Sequence, residues 1–226
     1  MRAVDQLQLK VASGSVNALL GATGAGKSST IMCIAGHVEM HGGSIFYDGA
    51  DIAALSPMAR VTAGIGLVSE GWRLFSSLTV RENLVVGGYC RSGEATAPNI
   101  ERVLATFPRL GERLHQRAGF LSDGEQQMLA IGRALMSKPK LLLVDELSLG
   151  LMPKIIDACY GAIDSLKTKD MAILLVEQST QRALEVADTV TVLESGRQVW
   201  AATAREARHS ADMIDACLGL KPSQSG

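Results

Sequence analysis

Short runs of Val, Ile and Leu recur along the chain with longer helical patterns between them, and this alternation predicts an α/β domain with a largely parallel sheet. SVNALL at 15–20, IGLV at 65–68, KLLLVD at 140–145, MAILLVE at 171–177 and TVTVLE at 189–194 read as buried strands. GGSIFYDG at 42–49 and LESGRQVWA at 193–201 read as a small antiparallel β portion, with Ser195-Gly196 as a hairpin turn in the second. Between about 70 and 138 helical patterns dominate: TVRENLVV, then PNIERVLATF, then a helix opening at Ser122. This middle reads as a helical subdomain inserted into an α/β core of about 1–69 and 139–220, within one domain spanning 1–226; 221–226, KPSQSG, reads as a frayed tail.

The helix that opens at Ser122 carries its own start signal. In FLSDGEQQM at 120–128, Ser122 and Glu125 have the spacing of a capping box, while Met128, Ile131 and Leu135 recur at helical spacing. Asp123 in the first turn complements the positive end of the helix dipole by about 0.3–1 kcal/mol.

With 226 residues, 47% of them apolar, the chain is long enough to bury a substantial core. Its net charge of −1 argues against a nonspecific polyanion-binding surface. Apolar runs such as LLLV at 141–144 and AILLV at 172–176 fall far short of a bilayer-spanning helix. Any membrane connection therefore runs through a partner. MRAVDQLQLKV at the N-terminus lacks the pattern of a secretory signal. Cys33, Cys90, Cys159 and Cys217 are scattered, with no C-x-x-C pair, and read as small hydrophobes in a reducing compartment. His37, His41, His115 and His209 are equally dispersed, which disfavours metal ligation.

GATGAGKS at 21–28 fits G-x-x-x-x-G-K-[ST] at every fixed position, after an apolar strand and before a helix. The glycines Gly21, Gly24 and Gly26 let the backbone turn its N–H groups inward, and the following helix presents its positive end to the same anion. The nucleotide-binding set is then Gly21, Ala22, Thr23, Gly24, Ala25, Gly26, Lys27, Ser28 and Ser29. Lys27 supplies an ammonium for the β and γ phosphates of ATP, and the Ser28 hydroxyl is a ligand for Mg²⁺. A phosphate loop also needs a metal-binding carboxylate at the end of another buried strand. KLLLVDE at 140–146 provides Asp145 for the metal and Glu146 as general base toward the attacking water.

The order of these motifs resembles the ATPase cassette of ABC transporters over almost the whole chain: phosphate loop, helical insert, LSDGEQ, LLLVDE. LSDGEQ takes the place of that family's signature, usually LSGGQ or LSGGE. The resemblance implies a P-loop fold and a head-to-tail pair of cassettes. Ser122, Asp123, Gly124 and Glu125 would then face the γ phosphate held by the second ATPase subunit, in a homodimer or heterodimer. VSEGWRLF at 68–75 matches the Q-loop, with Glu70 in place of the usual Gln that touches the metal. SLGL at 148–151 matches the D-loop, and VEQS at 176–179 the switch region, with Gln178 where His is commoner. Glu70, SLGL, Gln178 and the run GEQQMLAIGRALMSKPKLLLVDE resemble one ATPase subunit of branched-chain amino acid importers. That resemblance implies two transmembrane permeases, a periplasmic solute-binding protein acting indirectly, no nucleic acid, and a peripheral place on the cytoplasmic face of the inner membrane.

The chain departs from the family pattern at four places. No Phe, Trp or Tyr precedes Gly21, where the family carries an adenine-stacking aromatic. Either the start is assigned late, or adenine is held without a contact worth roughly 1–3 kcal/mol per base in nucleic-acid binders. Leu147 follows Asp145-Glu146 where the family has Pro, which frees a φ angle beside the base. Trp72 takes a usually basic position and reads as a surface aromatic that packs on a partner. Asp123 places a carboxylate at a phosphate site; at about 5 Å and an effective dielectric near 20, each unit of like charge costs roughly 3 kcal/mol. The expectation is a functional but slowed ATPase. The alternative is a degenerate cassette that binds ATP as a regulatory or structural module with little hydrolysis. A third reading is a soluble ABC ATPase acting on ribosomes or DNA; those usually carry two cassettes or long coiled-coil insertions, and this sequence shows neither.

Overall fold

The computed structural model describes residues 3–91, 96–147, 152–167 and 170–210, together with positions 214 and 219. The apolar runs become strands of one sheet. The chain opens with β1 (Val16–Gly21) and α1 (Lys27–Ala35), then β2 (Phe46–Tyr47), β3 (Ala50–Asp51), α2 (Pro57–Ala63) and β4 (Ile65–Val68). Helices follow: α3 (Val80–Gly87), α4 (Thr96–Thr106), α5 (Pro108–Glu112) and α6 (Asp123–Leu135). Alternation then resumes with β5 (Leu141–Asp145), α7 (Pro153–Leu166), β6 (Ala172–Glu177), α8 (Thr180–Val186), β7 (Thr189–Glu194), β8 (Arg197–Thr203) and α9 (Ala204–His209).

Among the described residues the sheet runs β4-β5-β6-β1-β7-β8, parallel throughout except for the final pair. β1 lies between two parallel neighbours, with Leu19 opposite Val176 of β6 and Thr191 of β7. All of its residues are buried, as in a strand covered on both faces; the one polar side chain, Asn17, donates from Nδ2 to Thr189 Oγ1 at 2.8 Å. Successive side chains of β5 enter different cores. Leu142 and Val144 join a cluster with α3, α5 and α6, whereas Leu143 joins one beneath α1. The first of these clusters also holds Val68, Leu84, Leu110 and Leu129, so the helices between β4 and β5 share one continuous core with the sheet.

Both predicted antiparallel pieces form, with different extents. β7 and β8 turn through Ser195 and Gly196, with φ of 49° and 80°, as a two-residue hairpin requires. β8 shows the alternating exposure of a half-covered edge strand and reaches Thr203. GGSIFYDG forms only the two-residue β2, paired with β3 across Asp48-Gly49. Its leading residues, Gly42 and Gly43, have no side chains to pack and lie outside any strand.

The loop after β4 is organised by a buried amide. Asn83 is fully buried; its Nδ2 donates to the carbonyls of Phe75, Leu78 and Thr79 at 3.0, 3.3 and 3.0 Å, and its Oδ1 accepts from Phe75 N at 3.0 Å. Thr79 and Glu82 cap α3 reciprocally beside it. Truncating Asn83 strands these backbone groups, each at about 1–3 kcal/mol if left unpaired. Asn83→Ala is expected to lower the free energy of unfolding by about 2–4 kcal/mol in a urea titration, whereas Arg81→Ala on the exposed side of α3 should change it by less than about 0.5 kcal/mol.

Candidate functional site

The site is built at the carboxyl ends of β1, β4, β5 and β6, where an open parallel sheet leaves a crevice. Gly21 ends β1, and the chain turns through Ala22–Ala25 into α1. Gly26, at φ 105°, begins that helix without any side-chain cap, which leaves its first N–H groups available to an anion. A Cβ at Gly26 would come within 2.6 Å of the Ala3 carbonyl oxygen, so both conformation and space require glycine here. Ala25 is buried, and its carbonyl accepts from Gly196 N at 2.9 Å, tying the loop to the β7–β8 turn.

Lys27 folds back over its own loop. Its Nζ donates to Gly21 O at 2.8 Å and Ala22 O at 3.1 Å and lies 3.8 Å from Glu146 Oε1. The side chain is only 4% exposed. Burial lowers its pKa, against the opposing pull of Glu146, Asp145, Glu177 and Glu70.

Asp145 closes β5 with 2% exposure and accepts from Ser28 Oγ at 3.2 Å. Burial raises its pKa; Ser28 and Lys27 oppose the rise, and the neighbouring Glu146 and Glu70 add to it. The Ser28 hydroxyl and the Asp145 carboxylate form a pair of hard oxygen ligands of the kind that suits Mg²⁺ when phosphates and waters complete the shell. Among the described residues, no three His, Cys, Asp or Glu converge into a separate metal site.

Glu146 is left-handed, with φ 50°, a strained conformation for a residue with a side chain. Its N–H donates to Val176 O at 3.0 Å, and its Oε1 accepts from Gln178 Nε2 at 2.7 Å. Glu146, Gln178, Glu70, Thr23, Gly24, Gly26, Lys27, Ser28, Ser29 and Ala3 surround a cleft of about 300 Å³. Asp145 does not line the cleft itself and reaches it through the Ser28 hydroxyl.

Ser122, Asp123, Gly124 and Glu125 do not line this cleft. The capping box is present: Ser122 Oγ accepts from Glu125 N at 3.4 Å, and Glu125 Oε2 accepts from Ser122 N at 3.0 Å. Burial works against the Glu125 charge, but the Ser122 donors and Arg113 outweigh it and lower its pKa. Gly124 is buried where a Cβ would run into the Ile155 side chain, so glycine lets α6 meet α7 closely. Asp123 is exposed, while the nearby Arg113 pairs with Glu125 at 3.6 Å.

Two departures from the family pattern resolve into packing. Leu147 is 1% exposed within the core shared by the sheet and helices. Trp72 is partly buried, with its indole packed against that same core. SLGL at 148–151 lies outside the described residues. Two charged groups near the site escape a reading by motif. Glu177, 1% exposed, acts on Lys27 and is visible in VEQS only as a charge ending a buried strand. Arg133, at the far end of α6, has no local sequence signal.

The model of the ABC transporter family matches residues 4–148. The high-affinity branched-chain amino acid transport ATP-binding protein BraG of Pseudomonas aeruginosa is 44% identical over 219 residues, covering 97% of this chain and 94% of the relative. The probable branched-chain amino acid transport ATP-binding protein LivF of Archaeoglobus fulgidus is 36% identical over 213 residues, covering 93% and 89%. Among solved structures, the ADP conformation of MJ1267, an ATP-binding cassette of an ABC transporter, superposes with a TM-score of 0.84 at 25% identity, covering 92% of this chain and 87% of that one.

Because the raised Asp145 pKa marks a carboxylate held at a cost in its charged form, stability of the ligand-free protein falls as pH rises through that pKa. Asp145→Asn removes the charge. Its thermal unfolding midpoint without nucleotide or metal is expected to lie a few degrees above the parent's at pH 7, with the gap narrowing as pH falls toward the raised pKa.

Proposed function

The chain belongs to the ABC transporter family, and from that premise we propose that it is the ATP-binding and hydrolysing subunit of an importer for branched-chain or related amino acids. The observation that carries this reading is the convergence of Lys27, Ser28, Glu146 and Gln178 on one cleft at the sheet's carboxyl edge. The likeness to BraG and LivF over nearly the full length of the chain supports the cargo class.

ATP binds with its β and γ phosphates on the backbone N–H groups of Gly21–Ser29, and Lys27 exchanges its loop carbonyls for phosphate oxygens. Ser28 and Asp145, with Glu70, would hold Mg²⁺, which when bound neutralises charge on the phosphoryl oxygens. Glu146 takes the proton of the attacking water. Gln178 fixes that carboxylate through the 2.7 Å hydrogen bond, and an amide keeps this hold across the range in which a histidine would change charge. Ser122–Glu125 acts in trans, offering the start of α6 to the nucleotide of a second ATPase subunit. The pair joins two transmembrane permeases at the cytoplasmic face of the membrane, and a solute-binding protein delivers cargo to them. Among the described residues no helix is long and apolar enough to cross a membrane, which agrees with attachment through permeases.

Asp123 slows this cycle. Exposed on the first turn, its carboxylate repels the incoming γ phosphate by roughly 3 kcal/mol per unit of charge at about 5 Å and an effective dielectric near 20. A degenerate, non-hydrolysing cassette draws no support from Leu147, which fills the core.

The test is reconstitution with a second cassette, the permeases and the binding protein. Glu146→Gln is expected to lower ATP turnover by about 10²–10⁴-fold and abolish uptake of labelled leucine while nucleotide-bound dimers still form. Undiminished hydrolysis would overturn the reading. In the same assembly Asp123→Gly should raise turnover, and equal rates for the two chains would remove the role given to Asp123.

A further inference from the structure

Glu70 enters the cleft from a loop whose backbone is held in an unfavourable conformation. Directly after it, Gly71, Trp72 and Arg73 are all left-handed, with φ of 71°, 59° and 45°. Glycine tolerates that region; a tryptophan and an arginine in succession persist there only if their surroundings over-determine them. Arg73 N donates to Gly71 O at 2.6 Å, which tightens the turn without anchoring it to the body of the protein.

The anchor comes from sixty residues away. In the last turn of α6, Arg133 donates from Nη1 to Arg73 O at 2.7 Å and from Nη2 to Trp72 O at 3.2 Å. One planar fork therefore engages both strained residues. The guanidinium also lies over the Phe75 ring, 5.6 Å from its centroid, and burial works against its charge. Its own backbone is fixed by the close approach of α3, since a Cβ on Gly87 would collide with the Arg133 carbonyl. Asn83 holds Phe75, so the loop is clamped beyond the strained pair as well. The indole of Trp72 also rests, partly buried, on the shared core.

We propose that Arg133 is a positioning residue that holds Trp72 and Arg73 in the left-handed conformation and thereby keeps the Glu70 carboxylate in the nucleotide cleft. Glu70, Trp72 and Glu146 line one adjoining pocket, so a relaxed loop moves the first carboxylate relative to the second. Lysine cannot replace this arginine: a point charge reaches one carbonyl, whereas the fork reaches two. The inference rests on the reading of Glu70 as a cleft carboxylate in an ATPase.

The experiment uses the full chain carrying Trp200→Phe, which leaves Trp72 as its single tryptophan. Without nucleotide or partners, Arg133→Gln is expected to shift Trp72 emission to longer wavelength and at least double its quenching by acrylamide. Arg133→Lys should do the same to a smaller degree, and it decides the matter if Arg133→Gln does not fold. Adding Arg73→Gly to Arg133→Gln removes a strained side chain from the loop and should reverse at least half of the change in quenching, a rescue that a merely structural arginine would not show. In the assembled transporter, Arg133→Lys should raise the Mg²⁺ concentration for half-maximal ATP turnover severalfold, with a smaller change in turnover at saturating Mg²⁺. Parent-like emission and quenching in both Arg133 variants, or a defect that Arg73→Gly leaves untouched, overturns the proposal. The fluorescence is read without ATP, so its failure is distinct from an inactive parent transporter, which would count against the ATPase reading itself.

Discussion

A lysine ammonium almost wholly removed from water sits at the centre of this molecule, and the surrounding architecture compensates it. Lys27 is satisfied by two carbonyls of its own loop and by carboxylates at the ends of different strands. Those carboxylates meet only because β5, β6 and β1 are consecutive in the sheet although distant in the chain. The parallel register carries Asp145, Glu177 and the loop after Gly21 to the same edge. Burial raises the cost of every uncompensated charge there, so small shifts of register would separate charges that need one another.

Much of this is legible in the sequence because the chemistry is local. GATGAGKS puts loop, ammonium and hydroxyl within eight residues, and backbone geometry alone brings them together. LLLVDE is legible because a buried parallel strand must end in the crevice, and Ser122 and Glu125 because a capping box spans one helical turn. Contacts made across the fold are not legible in this way. Leu147 reads as a freed loop residue until the sheet and helices close over it, and the packing of Trp72 on its own core has no mark in the sequence around it. GGSIFYDG has the composition of a strand pair, yet its glycines give the sheet nothing to pack and two residues per strand remain. The Arg133 fork spans sixty residues, and no window of sequence contains both ends.

Part of the backbone strain lies in and beside the cleft. Glu146, Trp72 and Arg73 are left-handed despite bearing side chains, and each is tied by a hydrogen bond from elsewhere: Gln178 on the first, Arg133 on the other two. Asp123 is a conflict of another kind under the proposed role in trans, favourable to the dipole of the helix it begins and unfavourable to an anion brought to the same helix end. Local preference and global task disagree at these positions and agree through most of the remaining chain, which is the pattern expected where function sets the choice of residue.

The strands that carry the site do not share the same standing in the sheet. Among the described residues β1, β5 and β6 are bonded on both sides, whereas β4 is a four-residue edge strand bonded only to β5. Backbone at a sheet edge opens at lower free energy than backbone inside it. Three sides of the crevice thus belong to strands with two neighbours, and the side bearing Glu70 to a strand with one, which leaves the Arg133 and Asn83 contacts to hold that side. Displacing β4 would break a single ladder, the one to β5, whereas Lys27, Glu146 and Gln178 follow strands held on both sides.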